Sequence, residues 1–113
     1  MRKTQGDCLF CKIASGEAKV PFVYEDEHVV AFDDISPKAA VHTLIVPKEH
    51  IENLNDEPSS ELLSNVFGAV PAVAHIKGID ETGYRIIQNN GDDARQTVHH
   101  LHVHMQGGEQ LPE

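Results

Sequence analysis

Val98-His99-His100-Leu101-His102-Val103-His104-Met105 is the stretch on which the reading of this chain turns. Read as a β-strand, its side chains alternate between two faces. His100, His102 and His104 then share one face, with neighbouring imidazoles about 7 Å apart. His99, Leu101, Val103 and Met105 share the other, which is apolar apart from His99 and suited to packing on a helix. Half of the eight histidines lie between positions 99 and 104. Three imidazoles in a row can bind a metal or hold an anion when protonated. Alternatively, one can attack phosphorus while another manages protons. An accidental or tag-like polar face is the bland alternative, and the regular apolar residues between the histidines argue against it.

The surrounding sequence supplies partners for this strand, which is expected over Thr97 to Met105. Tyr84 to Gln88 reads as another strand, joined to it by a glycine- and aspartate-containing loop from Asn89 to Arg95. Val41 to Val46 is β-branched and apolar enough for a central strand, ended by Pro47. Two short strands fit between Phe22 and Asp34, on either side of the polar turn Glu25-Asp26-Glu27. A short helix is expected from Asp7, as its cap, to Ser15, with Gly16 as its stop. Glu49 to Pro58 is a polar connection anchored by Ile51 and Leu54. Ser59 or Ser60 caps the longest helix, in which Leu62, Leu63, Val66, Phe67, Val70, Val73 and Ala74 recur at helical spacing until Gly78. Pro71 removes one backbone bond there and should bend it. Strands in neighbouring pairs, with helices outside any βαβ rhythm, indicate an α+β fold. It should contain a five-stranded, mostly antiparallel sheet with one long and one short helix.

With 113 residues, 40% of them apolar and 24% charged, the chain has the composition of one folded domain spanning 1–113. No apolar run reaches the roughly 18–20 residues of a membrane span. The start, Met1 to Asp7, has no apolar stretch after its charges, so no secretory leader is expected. Nine basic against eighteen acidic residues give a net charge of −9. That balance disfavours a polymeric phosphate backbone but not a single nucleotide. Only two cysteines occur, Cys8 and Cys11. They are too close to staple a fold, and a reducing, cytoplasmic setting is expected. As a pair they fit a metal half-site, unligated buried thiols or a redox couple. The βαβ setting of a thioredoxin-type motif is missing, and a zinc site needs two more ligands.

The run His100-Leu101-His102-Val103-His104-Met105-Gln106 resembles the motif of the histidine triad (HIT) hydrolases and transferases. Gln106 stands where that family prefers an apolar residue. Ala31-Phe32-Asp33-Asp34-Ile35-Ser36-Pro37, the stretch His42 to His50, and Asn89-Asn90-Gly91 leading to Gln96-Thr97-Val98 are similar to the Hint branch. That branch comprises the nucleoside 5′-phosphoramidate hydrolases, and the similarity extends from about Asp7 to Gly108. It implies a HIT-like fold and a homodimer formed through the long helix and a central strand. It further implies cleavage of the P–N bond of purine nucleoside phosphoramidates, releasing AMP or GMP through a nucleotidyl-histidine.

By the same resemblance His102 is the nucleophile, His104 contacts the phosphate and leaving group, and His100 orients His102. Asp34 and Ile35 face the nucleoside, with Asp34 accepting from the ribose hydroxyls. Asn89, Thr97 and Val98 line the phosphate. Relatives with this N-terminal motif hold a structural zinc through residues matching Cys8, Cys11, His50 and His100. Arg95 replaces a usual glycine, Asp33 occupies a variable position that could alter ribose or base contacts, and the tail lacks the tryptophan of some Hint enzymes. The leaving group is therefore the open question. A dinucleoside polyphosphate hydrolase is one alternative, and a nucleotide-binding or zinc-stabilised interaction module with incidental turnover is another. From the residues alone, His28 reads as a turn residue, His42 as a structural histidine within its strand and His75 as an interface candidate.

Overall fold

A computed structural model describes residues 7–113; the reading of the segment before Asp7 lies outside them. The elements are α1 (Leu9–Ser15), β1 (Tyr24–Glu25), β2 (Val29–Asp33), β3 (Val41–Pro47), α2 (Ser60–Gly68), α3 (Val70–Ile76), β4 (Tyr84–Ile87) and β5 (Val103–Gly107). The five strands form one antiparallel sheet in the order β1-β2-β3-β5-β4. This is the α+β architecture implied by the strand pairs.

The sheet is covered on both faces. On one, Val29, Ala31, Ile45, Val103 and Met105 pack with Leu62, Val66, Val70, Val73 and Ala74 of α2 and α3. On the other, Val30, Phe32, Leu44 and Val46 pack with Phe10 and Ile13 of α1. Period-2 alternation in β2, β3 and β5 sends successive residues to different cores. Leu44 pairs with His104, so His104 lies on the face that carries α1. Leu101, Val103 and Met105 lie on the helical-pair face, as their alternation requires.

Four sequence expectations need adjustment. Helix α1 is capped by Cys8 rather than Asp7: Cys8 is extended, and its Sγ accepts from the Cys11 N–H. The long helix is interrupted, not merely bent. Pro71 has no N–H for the Phe67 carbonyl, and Ala69 instead closes a tight bond to the Val66 carbonyl at 3.3 Å. The last strand starts at Val103, not Thr97. Upstream, residues 98–100 bend, and the Leu101 N–H goes to the Ile51 carbonyl at 2.7 Å, outside the sheet ladder. Of the two expected anchors Leu54 is exposed, and only Ile51 is buried.

The turn Glu25-Asp26-Glu27 is held by Asp26, which accepts from the backbone N–H groups of His28 and Val29. It is a solvated turn. At the exit of β5, a Cβ on Gly107 would sit 2.9 Å from the Gly83 carbonyl oxygen. Only glycine lets β4 and β5 close there.

Candidate functional site

His102 stands at the entrance to β5, buried, with the Phe10 ring edge-on at a centroid distance of 5.0 Å. Its Nδ1 lies 2.7 Å from the His100 carbonyl oxygen. A carbonyl can only accept, so Nδ1 carries the proton and Nε2 keeps the lone pair. Burial lowers the His102 pKa below its ordinary value, which leaves the ring neutral at pH 7. A neutral imidazole with a fixed tautomer and a free Nε2 is a competent nucleophile.

The His104 ring is 5.0 Å from that of His102. Its Nδ1 is 2.9 Å from Nε2 of His42, on the neighbouring strand β3. The proton between them can be assigned from the far side of His42, where the Lys38 backbone N–H donates to Nδ1 at 2.9 Å. His42 therefore protonates Nε2 and donates to His104, which leaves the His104 proton on Nε2 as a donor for a ligand. Burial, with the positive charge of neighbouring imidazoles, lowers the His104 pKa to about 4. Burial lowers His42 as well. At pH 7 His104 is a neutral hydrogen-bond donor. His42 is a buried structural histidine, as its strand position suggested, but it also sets the tautomer of a site residue. Nothing local in the sequence signals that role.

His100 turns away from the other two. Its Nδ1 lies 3.3 Å from Cys8 Sγ, 3.5 Å from Cys11 Sγ and 3.1 Å from His50 Nδ1. Cys11 Sγ is 3.4 Å from His50 Nδ1. The four donor atoms all lie within 4.8 Å of one another. A tetrahedral zinc with bonds of about 2.3 Å to sulfur and about 2.0 Å to nitrogen separates its ligands by about 3.5 Å (S···N) and about 3.3 Å (N···N). The observed spacings match. His100 Nε2 donates to the Pro47 carbonyl at 2.8 Å, which keeps Nδ1 free to ligate and supplies the outer hydrogen bond such ligands usually have. The donor set fits zinc.

Asp34, His42 and His104 also converge within 4.8 Å, with Asp34 Oδ2 3.5 Å from His42 Nε2. The same tautomer argument excludes His42 from a ligand set here, because its Nε2 carries the proton. This second group is a hydrogen-bonded cluster beside His102.

Asn89 Nδ2 donates to the Ala94 carbonyl at 2.8 Å and holds the loop that leads to Thr97. The buried Gln96 side chain is the loop's hub. Its Oε1 accepts from Asn53 Nδ2 and the Gly91 N–H, and its Nε2 donates to the carbonyls of Glu52 and Val98. Sequence reasoning missed Gln96, though a polar side chain buried to this depth must be satisfied. Thr97 is exposed, and Val98 packs partly into the core beside α1. Ile35, next to Asp34, is 95% exposed, and Leu9 on α1 is 52% exposed.

Other candidates fall elsewhere. Asp33 points to the opposite face, where it accepts from Thr43 Oγ1 at 2.8 Å and pairs with Lys77 at 2.9 Å. It cannot alter ribose or base contacts on the imidazole face. His28 is exposed on its turn, and His75 is exposed and bonded to Asp80 at 2.9 Å.

The HIT domain model matches residues 15–111. The chain belongs to the histidine triad family. An uncharacterised HIT-like protein of Methanocaldococcus jannaschii is 46% identical over 98 residues, covering 87% of this chain and 76% of that protein. A HIT family hydrolase from Legionella pneumophila superposes with a TM-score of 0.89 at 44% identity, covering 94% of this chain and 96% of the other. A histidine triad protein from Clostridium difficile gives 0.92 at 44% identity, covering 96% of each chain. In this HIT protein His102 and His104 lie side by side with ring centroids 5.0 Å apart, and the His100 ring lies against the cysteines.

Proposed function

We propose that this chain is a nucleotide hydrolase that cleaves the P–N bond of purine nucleoside 5′-phosphoramidates. The observation that carries the reading is the fixed tautomer of His102, with its lone pair on Nε2, beside a neutral His104 that offers Nε2–H. In the first step His102 Nε2 bonds to the α-phosphorus as the P–N bond breaks, and the departing amine takes one proton from the medium. Water then attacks phosphorus, His102 leaves as the neutral imidazole, and the nucleoside monophosphate and a proton are released. The Nε2–H of His104 stabilises charge on the phosphoryl oxygens during both steps. Asn89, Thr97 and Val98 border the phosphate, while Asp34 and Ile35 receive the ribose and base.

Cys8, Cys11, His50 and His100 are proposed to hold a zinc ion. With four protein ligands and no open position, the metal supplies structural cross-linking rather than a reacting centre. A homodimer is also proposed. Val66, Val70, Val73 and Ala74 of the helical pair are consumed by this chain's own core. The support comes from Phe67 on α2 and Ile76 on α3, which remain 42% and 53% exposed. Sedimentation at twice the chain mass is expected, and a concentration-independent monomer rejects the dimer.

His102→Ala should lower turnover of a purine nucleoside phosphoramidate by far more than about a hundredfold while leaving nucleotide binding in place. A variant that keeps more than about a hundredth of the rate rules out covalent catalysis by His102. Parallel assays with a dinucleoside polyphosphate identify the leaving group. Tight nucleotide binding with negligible turnover of both substrates would favour the interaction-module reading.

A further inference from the structure

His100 belongs to two constellations at once. Its ring lies among Cys8, Cys11 and His50, with Nδ1 within 3.1–3.5 Å of the three donor atoms. Its backbone carbonyl, in the same residue, accepts the Nδ1–H of His102 at 2.7 Å. The segment between is irregular: residues 98–100 bend, and the ladder resumes only at Val103. Strand pairing therefore does not fix the direction of the His100 carbonyl. Two other holds do: the Leu101 N–H of the same planar peptide bonds the Ile51 carbonyl, next to His50, at 2.7 Å, and the His100 ring contacts the cysteine pair, His50 and the Pro47 carbonyl at 2.8 Å.

From this geometry we infer that Cys8, Cys11 and His50 are positioning residues for the nucleophile. By fixing the ring of His100 and, through His50, the neighbouring Ile51 carbonyl that bonds the Leu101 N–H, they aim the His100 carbonyl that holds the proton of His102 on Nδ1 and the lone pair on Nε2. None of the three needs to touch substrate. The inference rests on the proposed nucleophilic role of His102 and on the fit of the four donors to a metal. It adds a function to a cluster otherwise read as a staple. A peptide segment free to turn would let the His102 ring exchange its proton between nitrogens or rotate off its carbonyl. Either change removes the reactive lone pair from the cleft for part of the time, a loss that appears in kcat rather than in binding.

Cys8→Ser is the appropriate variant, because serine is a good helix N-cap and can replace the cap that Cys8 Sγ gives α1 while losing the sulfur donor. In zinc-loaded preparations its kcat should fall about ten- to a hundredfold, the range found when supporting partners of a site are removed, with KM held within about twofold. The test that separates positioning from folding is the 15N spectrum of the His102 ring. Its two nitrogens should be widely split in the wild type, as a fixed tautomer requires, and should draw together in Cys8→Ser. If the variant does not fold, the same pair is followed in wild-type protein while zinc is removed by a chelator, with amide dispersion reporting the fold. An unchanged His102 splitting in folded, metal-free protein overturns the inference, as does an unchanged kcat. If wild-type protein turns over no phosphoramidate, the activity reading fails by itself, and the 15N result still decides the positioning role.

Discussion

Arg95 holds φ 65°, ψ 37°, left-handed backbone in which a Cβ is unfavourable. The Gln96 hub imposes it: the Gln96 N–H bonds the Gly91 carbonyl at 3.0 Å and the Arg95 N–H bonds the Asp92 carbonyl at 2.9 Å. The turn can close only if the residue between takes this shape. Arg95→Gly should therefore raise stability, by about 0.5–1 kcal/mol from removed strain less the extra entropy glycine brings to the unfolded chain. Urea denaturation of the two proteins measures it, and a destabilised glycine variant would mean that the arginine side chain contributes contacts exceeding its strain. Because Arg95 lies two residues from Thr97, the same pair of proteins, compared on leaving groups with and without a negative charge, also reports whether the guanidinium selects substrate.

At the scale of elements, the pairing of β3 with β5 determines how the site responds to acid. His42 and His104 meet across these strands, and burial with neighbouring imidazole charge holds His104 at about 4 against an ordinary 6.5. Between those two values the unfolded chain binds a proton that the folded chain refuses. Stability must then fall as pH drops from about 6.5 toward about 4, and His104 contributes no slope above that window. His104→Asn removes this component, so the wild-type lead over the variant in urea midpoint should shrink between about pH 7 and about pH 4.5. Parallel pH curves would contradict the low His104 pKa.

The same pairing shows what the sequence could convey. Leu101, Val103 and Met105 alternate, and that period is enough to assign their face and the neighbouring His102 and His104. The orientation of His100 is different, because its segment leaves the ladder and its ring follows contacts with Cys8 and His50, 92 and 50 positions away. No local period carries such information; only the resemblance did. His42 is the clearer loss, since its partner His104 is 62 positions distant and a polar residue inside a strand has many satisfactory fates.

Across the whole molecule, the four-residue cluster brings together three parts of the chain that are distant in sequence. Cys8 and Cys11 start α1, His50 follows β3, and His100 precedes β5, so one bound ion would close loops of 39 and 89 positions at once. Linking such distant positions restricts the unfolded chain, and binding to the folded form alone adds its own free energy. Structural zinc in small Cys/His sites binds with about 10–16 kcal/mol at pH 7, as large as the whole stability of many domains. Each kcal/mol shifts the melting temperature of a domain this size by about 4–8 °C. Removing the metal should therefore lower Tm by well over 10 °C, an order-of-magnitude figure that follows from the same scaling. Readdition should restore it, and Cys11→Ser protein should melt near the stripped value with or without zinc. Elemental analysis of protein purified without chelator sets the starting point, at about one zinc per chain. Less than about a tenth of that, with both thiols freely titratable in the folded protein, would leave α1 held by its apolar packing around Phe10 and Ile13 and by the Cys11 contacts with His50 and His100, with no metal cross-link.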